Sequence, residues 1–183
     1  SELASKHRAK LQLEMGGKNP AVVTPSADVK SAASQIIARG TSCAGQLCVS
    51  ISRVIVHESI ADKFTDMLKQ EMQKIIVGPG MESNTIMGPL VGEEHLSSVL
   101  SYVKKGIDEG ANLVLGGQRL TGNVYDKGNF MSPAIFTDVD PGSTIAQEEI
   151  FGPVISVIAY KNFEHALEIS NSVEFGLAAC IYT

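Results

Sequence analysis

The sequence predicts an α/β fold: an open, largely parallel twisted sheet with flanking helices. Three observations lead there. Short β-branched runs alternate along the chain with longer segments of helical periodicity, the pattern of a parallel sheet crossed by helices. Glycine- and proline-rich stretches such as 77–90 separate the runs. The 183 residues, 44% hydrophobic and 19% charged, match the size and composition of one globular core.

The elements follow in order. Leu11-Gln12-Leu13-Glu14 alternates apolar and polar, and Asn19 to Val23 follows the Gly16-Gly17 pair, so two short strands split by a glycine turn are expected. Pro25-Ser26-Ala27-Asp28 reads as a helix start, with Ser26 or Asp28 as the cap. The helix covers Val29 to Ala38 and Gly40 ends it. Arg53 to His57 is a buried strand. From Ser59, read as a cap, to Ile75, the positions Ile60, Phe64, Met67, Leu68 and Met72 recur at helical spacing. The stretch 77–90 is a surface connection. Glu93 to Gly110 is a second amphipathic helix with Leu96, Val99, Leu100, Val103 and Ile107 on its apolar face. Asn112 to Leu115 is a short strand, and 122–129 is a polar loop. Pro133 to Phe136 reads as an edge strand, because proline lacks the ladder donor. Val154 to Tyr160 is a strong strand, Phe163 to Ser170 a helix, and Leu177 to Tyr182 a final strand.

Composition excludes several function classes. Fifteen basic and twenty acidic residues leave a net charge of −5, which argues against a nucleic-acid partner. No apolar stretch approaches the roughly 20 residues of a membrane span. Three cysteines are too few and too odd for a disulfide framework, so a reducing compartment, the cytoplasm, is expected. Cys43 and Cys48 lack the second pair of ligands that a zinc site needs, and no metal is expected.

Four residues stand out for chemistry. Cys48 follows Gly45, which lets the backbone turn tightly and present a sulfur at a loop end. A thiolate there attacks electrophiles, although a free cysteine that simply fills space explains the same residue. Glu14 closes the first expected strand, where a carboxylate can serve as a general base on water, or can merely be solvated. Glu149 can accept hydrogen bonds from sugar hydroxyls, and Phe151 can pack on a flat ring. A charged turn leading into a strand accounts for them equally. The phosphate-binding fingerprints are absent, since Gly16-Gly17-Lys18 lacks the rest of a P-loop. Cys43, at a helix end, and Cys180, within an apolar strand, are expected to be less accessible than Cys48. The four histidines are scattered, with His57 the best placed.

Taken together, these segments resemble the aldehyde dehydrogenase family. Leu13-Glu14-Met15-Gly16-Gly17-Lys18-Asn19-Pro20 is similar to the family's glutamate signature. Gly45-Gln46-Leu47-Cys48 is similar to its cysteine signature. Met87-Gly88-Pro89-Leu90, Glu109-Gly110-Ala111 with Gly116-Gly117, Phe130 to Phe136, Glu148 to Val154, and Asn171 with Gly176 to Ala179 fall in family order. The resemblance covers nearly the whole chain.

The resemblance implies NAD(P)-dependent oxidation of an aldehyde to a carboxylic acid. Cys48 would be the nucleophile that forms a thiohemiacetal and then a thioester, and Glu14 the base that activates water to hydrolyse it. Glu149 would bind the nicotinamide ribose and Phe151 would pack near the nicotinamide. It also implies a homo-oligomer. The family's chain is longer, so residues 1–183 are expected to be the catalytic domain, truncated at both ends, with the dinucleotide-binding domain absent. NAD or NADP as cofactor would be decided outside these residues, and the isolated segment is expected to be inactive as a dehydrogenase. Two other readings stay open: a cofactor-independent thiol esterase using Cys48 and Glu14, and a non-catalytic, self-associating segment.

Overall fold

The computed structural model describes residues 2–183. A short helix, α1 (Glu2–Lys6), leads into an extended segment and then β1 (Asn19–Val23). The chain continues through α2 (Val29–Thr41), β2 (Ile51–His57), α3 (Ala61–Met72), α4 (Glu93–Asp108), β3 (Asn112–Leu115), β4 (Ala134–Thr137), α5 (Thr144–Gln147), β5 (Val154–Tyr160), α6 (Phe163–Asn171) and β6 (Cys180–Tyr182). The sheet order is β3-β4-β5-β2-β1-β6. Every neighbouring pair is parallel except β3 with β4. The expected α/β architecture is therefore present.

Alternation along the strands divides the core between two faces. Val22, Ile55 and Ile158 point to one side, where they meet Leu96 and Val99 of α4, Ile145 of α5, and Ile169 of α6. Ala21, Val23, Val54, Val56 and Ile155 point to the other, against Ile36 of α2 and Phe64 and Leu68 of α3. Three layers result, with the sheet buried between helices.

Several elements differ from expectation. Leu11 to Glu14 is not a strand: β1 already pairs with β2 on one side and β6 on the other, so residues 11–14 cannot pair with it across the glycine turn. Leu11, Leu13 and Met15 are exposed, and their alternation reflects no buried face. Asp28 rather than Ser26 caps α2, accepting hydrogen bonds from the N–H groups of Lys30 and Ser31. That helix runs on through Gly40, because a glycine is needed where the helix presses on β2 and β5; a Cβ there would lie 2.9 Å from Ile155 Cδ1. Ser59 caps nothing: its N–H donates to His57 Nδ1 in a short 3₁₀ turn, and α3 starts at Ala61. The 133–136 strand is internal, between β3 and β5. Pro133 is tolerated because it precedes β4, and the first ladder donor, Ala134 N–H, reaches Pro153 O. The last strand spans only Cys180–Tyr182, since the Ala178 N–H is diverted to the Asn19 side chain.

Candidate active site

Residues at the amino-terminal ends of three adjacent parallel strands build the site. Gly16 and Gly17 precede β1, Cys48 precedes β2, and Glu149 and Phe151 precede β5. Strand-end ligand sites in open α/β sheets ordinarily lie at carboxyl ends, so Glu14 is misplaced by that expectation: it stands before β1, not after a strand.

The Cys48 loop begins where α2 stops. Cys43, Ala44 and Gly45 take φ values of 50°, 56° and 71°, three consecutive left-handed residues that reverse the chain. Only glycine fits the third, since a Cβ on Gly45 would collide with the Gly152 carbonyl oxygen. Gln46 then anchors the loop from both ends of its amide. Its Nε2 donates to Cys43 O at 2.9 Å, and its Oε1 accepts the Val91 N–H at 2.8 Å. A turn closed by Ser50 N–H on Leu47 O presents Cys48, whose side chain is half-buried between exposed Leu47 and Val49.

Gly17 touches both halves of the site. Its N–H donates to Glu149 Oε1 at 2.9 Å. A Cβ on it would collide with the Cys48 carbonyl oxygen, so the strand entry and the thiol loop approach as closely as backbones can. At Gly16 a Cβ would stand 2.5 Å from Glu149 Oε2. The two glycines thus form a cradle for the Glu149 carboxylate.

Helix α4 holds the other side of the Glu149 loop at three successive turns. His95 Nε2 bonds Phe151 O at 2.7 Å, the carbonyl accepting, and its ring meets the Phe151 ring edge-on at 6.1 Å. Val99 packs on Gly152. Tyr102 Oη donates to Glu148 Oε2 at 2.7 Å, and that bond pushes the phenol up to about 12. Phe151 is held at φ 54° and stays 40% exposed, a costly conformation for an aromatic residue.

Beneath the cradle lie two buried cations. Arg53 is fully buried and satisfied by three carbonyls: Lys18 O, and Ile169 O and Ser170 O at the end of α6. Lys18 is 2% exposed and its Nζ has no hydrogen-bond partner. Desolvation, aided by the Arg53 charge and opposed by Glu149 and Glu148, lowers the ammonium to about 7.

The structure therefore gathers the Cys48 loop, Glu149 and Phe151 into one cluster. Glu14 is three residues from that cluster on an exposed segment, with its carboxylate accepting from Gln12 Nε2. Cys43 is exposed, contrary to expectation, because its left-handed turn leads the chain out of the helix layer. His57, the best placed of the four histidines in the sequence, lies at the far end of β2 against Ser59 and Tyr160, away from the site, and it is His95 that stands beside Phe151. The sequence reading missed Asn19, Lys18, Arg53, Tyr102 and His95. The i, i+4, i+7 spacing of His95, Val99 and Tyr102 marks one helix face, but nothing in the sequence says what that face meets. Among the described residues, no group of three or more His, Cys, Asp or Glu is arranged to hold a metal ion, and no helix is long and apolar enough to cross a membrane.

An α/β domain with a thiol loop beside an anchored carboxylate is the class these features define. The aldehyde dehydrogenase family model matches residues 1–183, and the chain belongs to that family. Its sequence is 45% identical over 175 residues to the α-ketoglutaric semialdehyde dehydrogenase of Bacillus subtilis, covering 96% of this chain and 36% of that one. It is 43% identical over 182 residues to the α-ketoglutarate semialdehyde dehydrogenase of Haloferax volcanii, covering 100% and 37%. Among solved structures, betaine aldehyde dehydrogenase from Staphylococcus aureus in complex with NAD+ superposes with a TM-score of 0.92 at 35% identity, over 100% of this chain and 36% of that one. An NAD-dependent aldehyde dehydrogenase from Sinorhizobium meliloti gives 0.91 at 38% identity, with the same coverage. The chain spans just over a third of the length of these relatives.

Proposed function

We propose that residues 1–183 form the catalytic domain of an enzyme that oxidises an aldehyde to a carboxylic acid with NAD+, the dinucleotide-binding domain lying outside these residues. The observation that carries this reading is Gly17, which joins the Cys48 loop to the Glu149 carboxylate within one residue's reach. The glycine cradle leaves Glu149 a fixed, half-buried acceptor suited to a ribose hydroxyl, and the exposed Phe151 ring offers a flat face beside it. When bound, the nicotinamide supplies a two-electron hydride acceptor.

Cys48 Sγ adds to the aldehyde carbon, and the S–C bond forms as the carbonyl becomes an oxyanion. The Cys48 N–H helps to hold that charge. Loss of hydride from the same carbon leaves a thioester on Cys48. Glu14 then takes a proton from water. The hydroxide adds to the thioester, the C–S bond breaks, and the acid leaves with Cys48 restored. The exposure of Glu14 suits a group that must meet water. The three free cysteines support a reducing compartment, the cytoplasm. Exposed Leu11, Leu13, Met15 and Ile181 support a homo-oligomer.

The test is stopped-flow measurement on the holoenzyme with NAD+ and a panel including α-ketoglutaric semialdehyde and betaine aldehyde. Glu14→Gln keeps a pre-steady burst of NADH while steady turnover falls by about 100-fold or more. Cys48→Ala abolishes both. Turnover retained in Cys48→Ala would refute the reading, and turnover retained in Glu14→Gln would assign the base to another group.

A further inference from the structure

We propose that Asn19 is a positioning residue for the nucleophile, clamping the turn that carries Cys48. The proposal rests on the reading of Cys48 as the nucleophile. Asn19 is 3% exposed and opens β1. Both hydrogens of its amide are used: Nδ2 donates to Cys48 O at 2.7 Å and to Ser50 O at 2.8 Å. Its Oδ1 accepts the Ala178 N–H at 3.1 Å. One planar group thus joins the thiol turn, the head of β1 and the segment entering β6.

The local backbone creates the need for this side chain. The β1–β2 register shifts between Asn19 and Pro20, where Asn19 faces Ile51 and Pro20 faces Arg53. Pro20 has no N–H to give. The Cys48 and Ser50 carbonyls therefore arrive at the sheet where the ladder is irregular, and a buried carbonyl without a partner is destabilising. Asparagine alone among small side chains carries two coplanar donors and an acceptor. Aspartate has the shape without the donors, and serine has one donor at most.

The consequence is mechanical. Ser50 N–H closes the turn on Leu47 O, and Asn19 fixes the two carbonyls at residues 48 and 50. The peptide planes on either side of Val49 are held, so the Cα–Cβ direction of Cys48 is set from the carbonyl side. The Cys48 N–H, which the mechanism assigns to the oxyanion, takes no part in the clamp. Glu149 is held through Gly17 instead, so the clamp serves the thiol and not the cofactor end.

The test uses the holoenzyme with Asn19→Asp and Asn19→Ser, reading kcat, KM for NAD+, and iodoacetamide labelling of each cysteine by peptide mapping. Displacing a reacting group by about 1 Å costs about 100-fold, so kcat is expected to fall between about 10-fold and 100-fold. The KM for NAD+ stays within about twofold, because Glu149 keeps its own anchor. Cys48 labelling changes by at least about threefold, while exposed Cys43 labels at the parent rate and serves as the internal standard. If Asn19→Asp does not fold, Asn19→Ser carries the test. Parental kcat and parental Cys48 labelling overturn the proposal. A kcat loss in which Cys48 labelling is unchanged, or in which Cys43 labelling shifts equally, makes Asn19 a general structural residue and also overturns it. Cys48→Ala, run alongside, separates the two readings: turnover surviving there removes the nucleophile and the proposal with it.

Discussion

Replacing Lys18 by Met is expected to change how stability depends on pH. Lys18 Nζ is buried without a hydrogen bond beside Arg53, and its ammonium is lowered from 10.5 to about 7. In the unfolded chain the same amine stays protonated up to its ordinary value near 10.4. Between those limits the folded state binds fewer protons than the unfolded state, so stability rises with pH. The rise approaches about 1.4 kcal/mol per pH unit once the folded amine is neutral. At pH 7 the folded amine is half protonated, and integrating from pH 7 to pH 9 gives about 2 kcal/mol. Met has a similar length and no charge, so Lys18→Met loses this slope and gains stability most at the lower pH. Equilibrium unfolding in urea at pH 7, 8 and 9 measures it, with the difference between parent and variant cancelling the other titrating groups. A parent-minus-variant difference that is flat across this interval, or that falls, would mean that Lys18 finds a partner or solvent, and the reasoning would fail.

Three further outcomes are expected. Gly45→Ala forces a Cβ onto the Gly152 carbonyl at φ 71° and should destabilise the chain by about 2 kcal/mol or more, read as a lowered midpoint in thermal unfolding; an unchanged midpoint would show the 43–45 turn to be adaptable. Tyr102→Phe removes the donor to Glu148, costing about 1 kcal/mol of stability by urea unfolding and raising the KM for NAD+ a few-fold in the holoenzyme, with a parental KM contradicting the role given to α4. In alkylation timed by mass mapping, Cys180 should react last, since burial pushes its thiol up, and Cys43 should label readily because it is exposed; fast labelling of Cys180 would contradict this order.

The periodic parts of the fold were legible because periodicity reports burial directly. The helical stripe through Phe64 and Leu68 and the runs at 53–57 and 154–160 all became core elements. Residues 11–14 misled for the same reason: alternation says that two faces differ, not that either is buried, and β1 had both neighbours elsewhere. Pro133 read as an edge marker because the rule concerns residues inside a ladder, and it stands just outside one. In the site, the glycines and cysteine were readable because their chemistry is local. Asn19, Arg53 and Tyr102 were not, since their partners lie 29, 116 and 46 residues away, and a single chain carries no signal for such pairings.

The segment from Gly16 to Asn19 explains why the site can be assembled at strand entries at all. A loop approaching the amino end of a parallel strand meets backbone N–H and C=O groups that no helix caps. Here three groups of the stretch are matched to specific partners. Gly17 N–H holds Glu149, Lys18 O receives Arg53, and the Asn19 amide takes the Cys48 and Ser50 carbonyls. Arg53 in turn takes two carbonyls at the end of α6, where a positive charge is favoured by the helix dipole. The thiol loop and the carboxylate loop are thus both referred to one four-residue stretch, in addition to meeting directly where Gly45 lies against the Gly152 carbonyl. A small displacement of that stretch carries both loops along together, and the distance between Cys48 and the Glu149 carboxylate changes less than either position does. On the proposed reading of Cys48 and Glu149, where a misplacement of about 1 Å can cost about 100-fold in rate, a common support preserves the geometry that matters better than two independent ones.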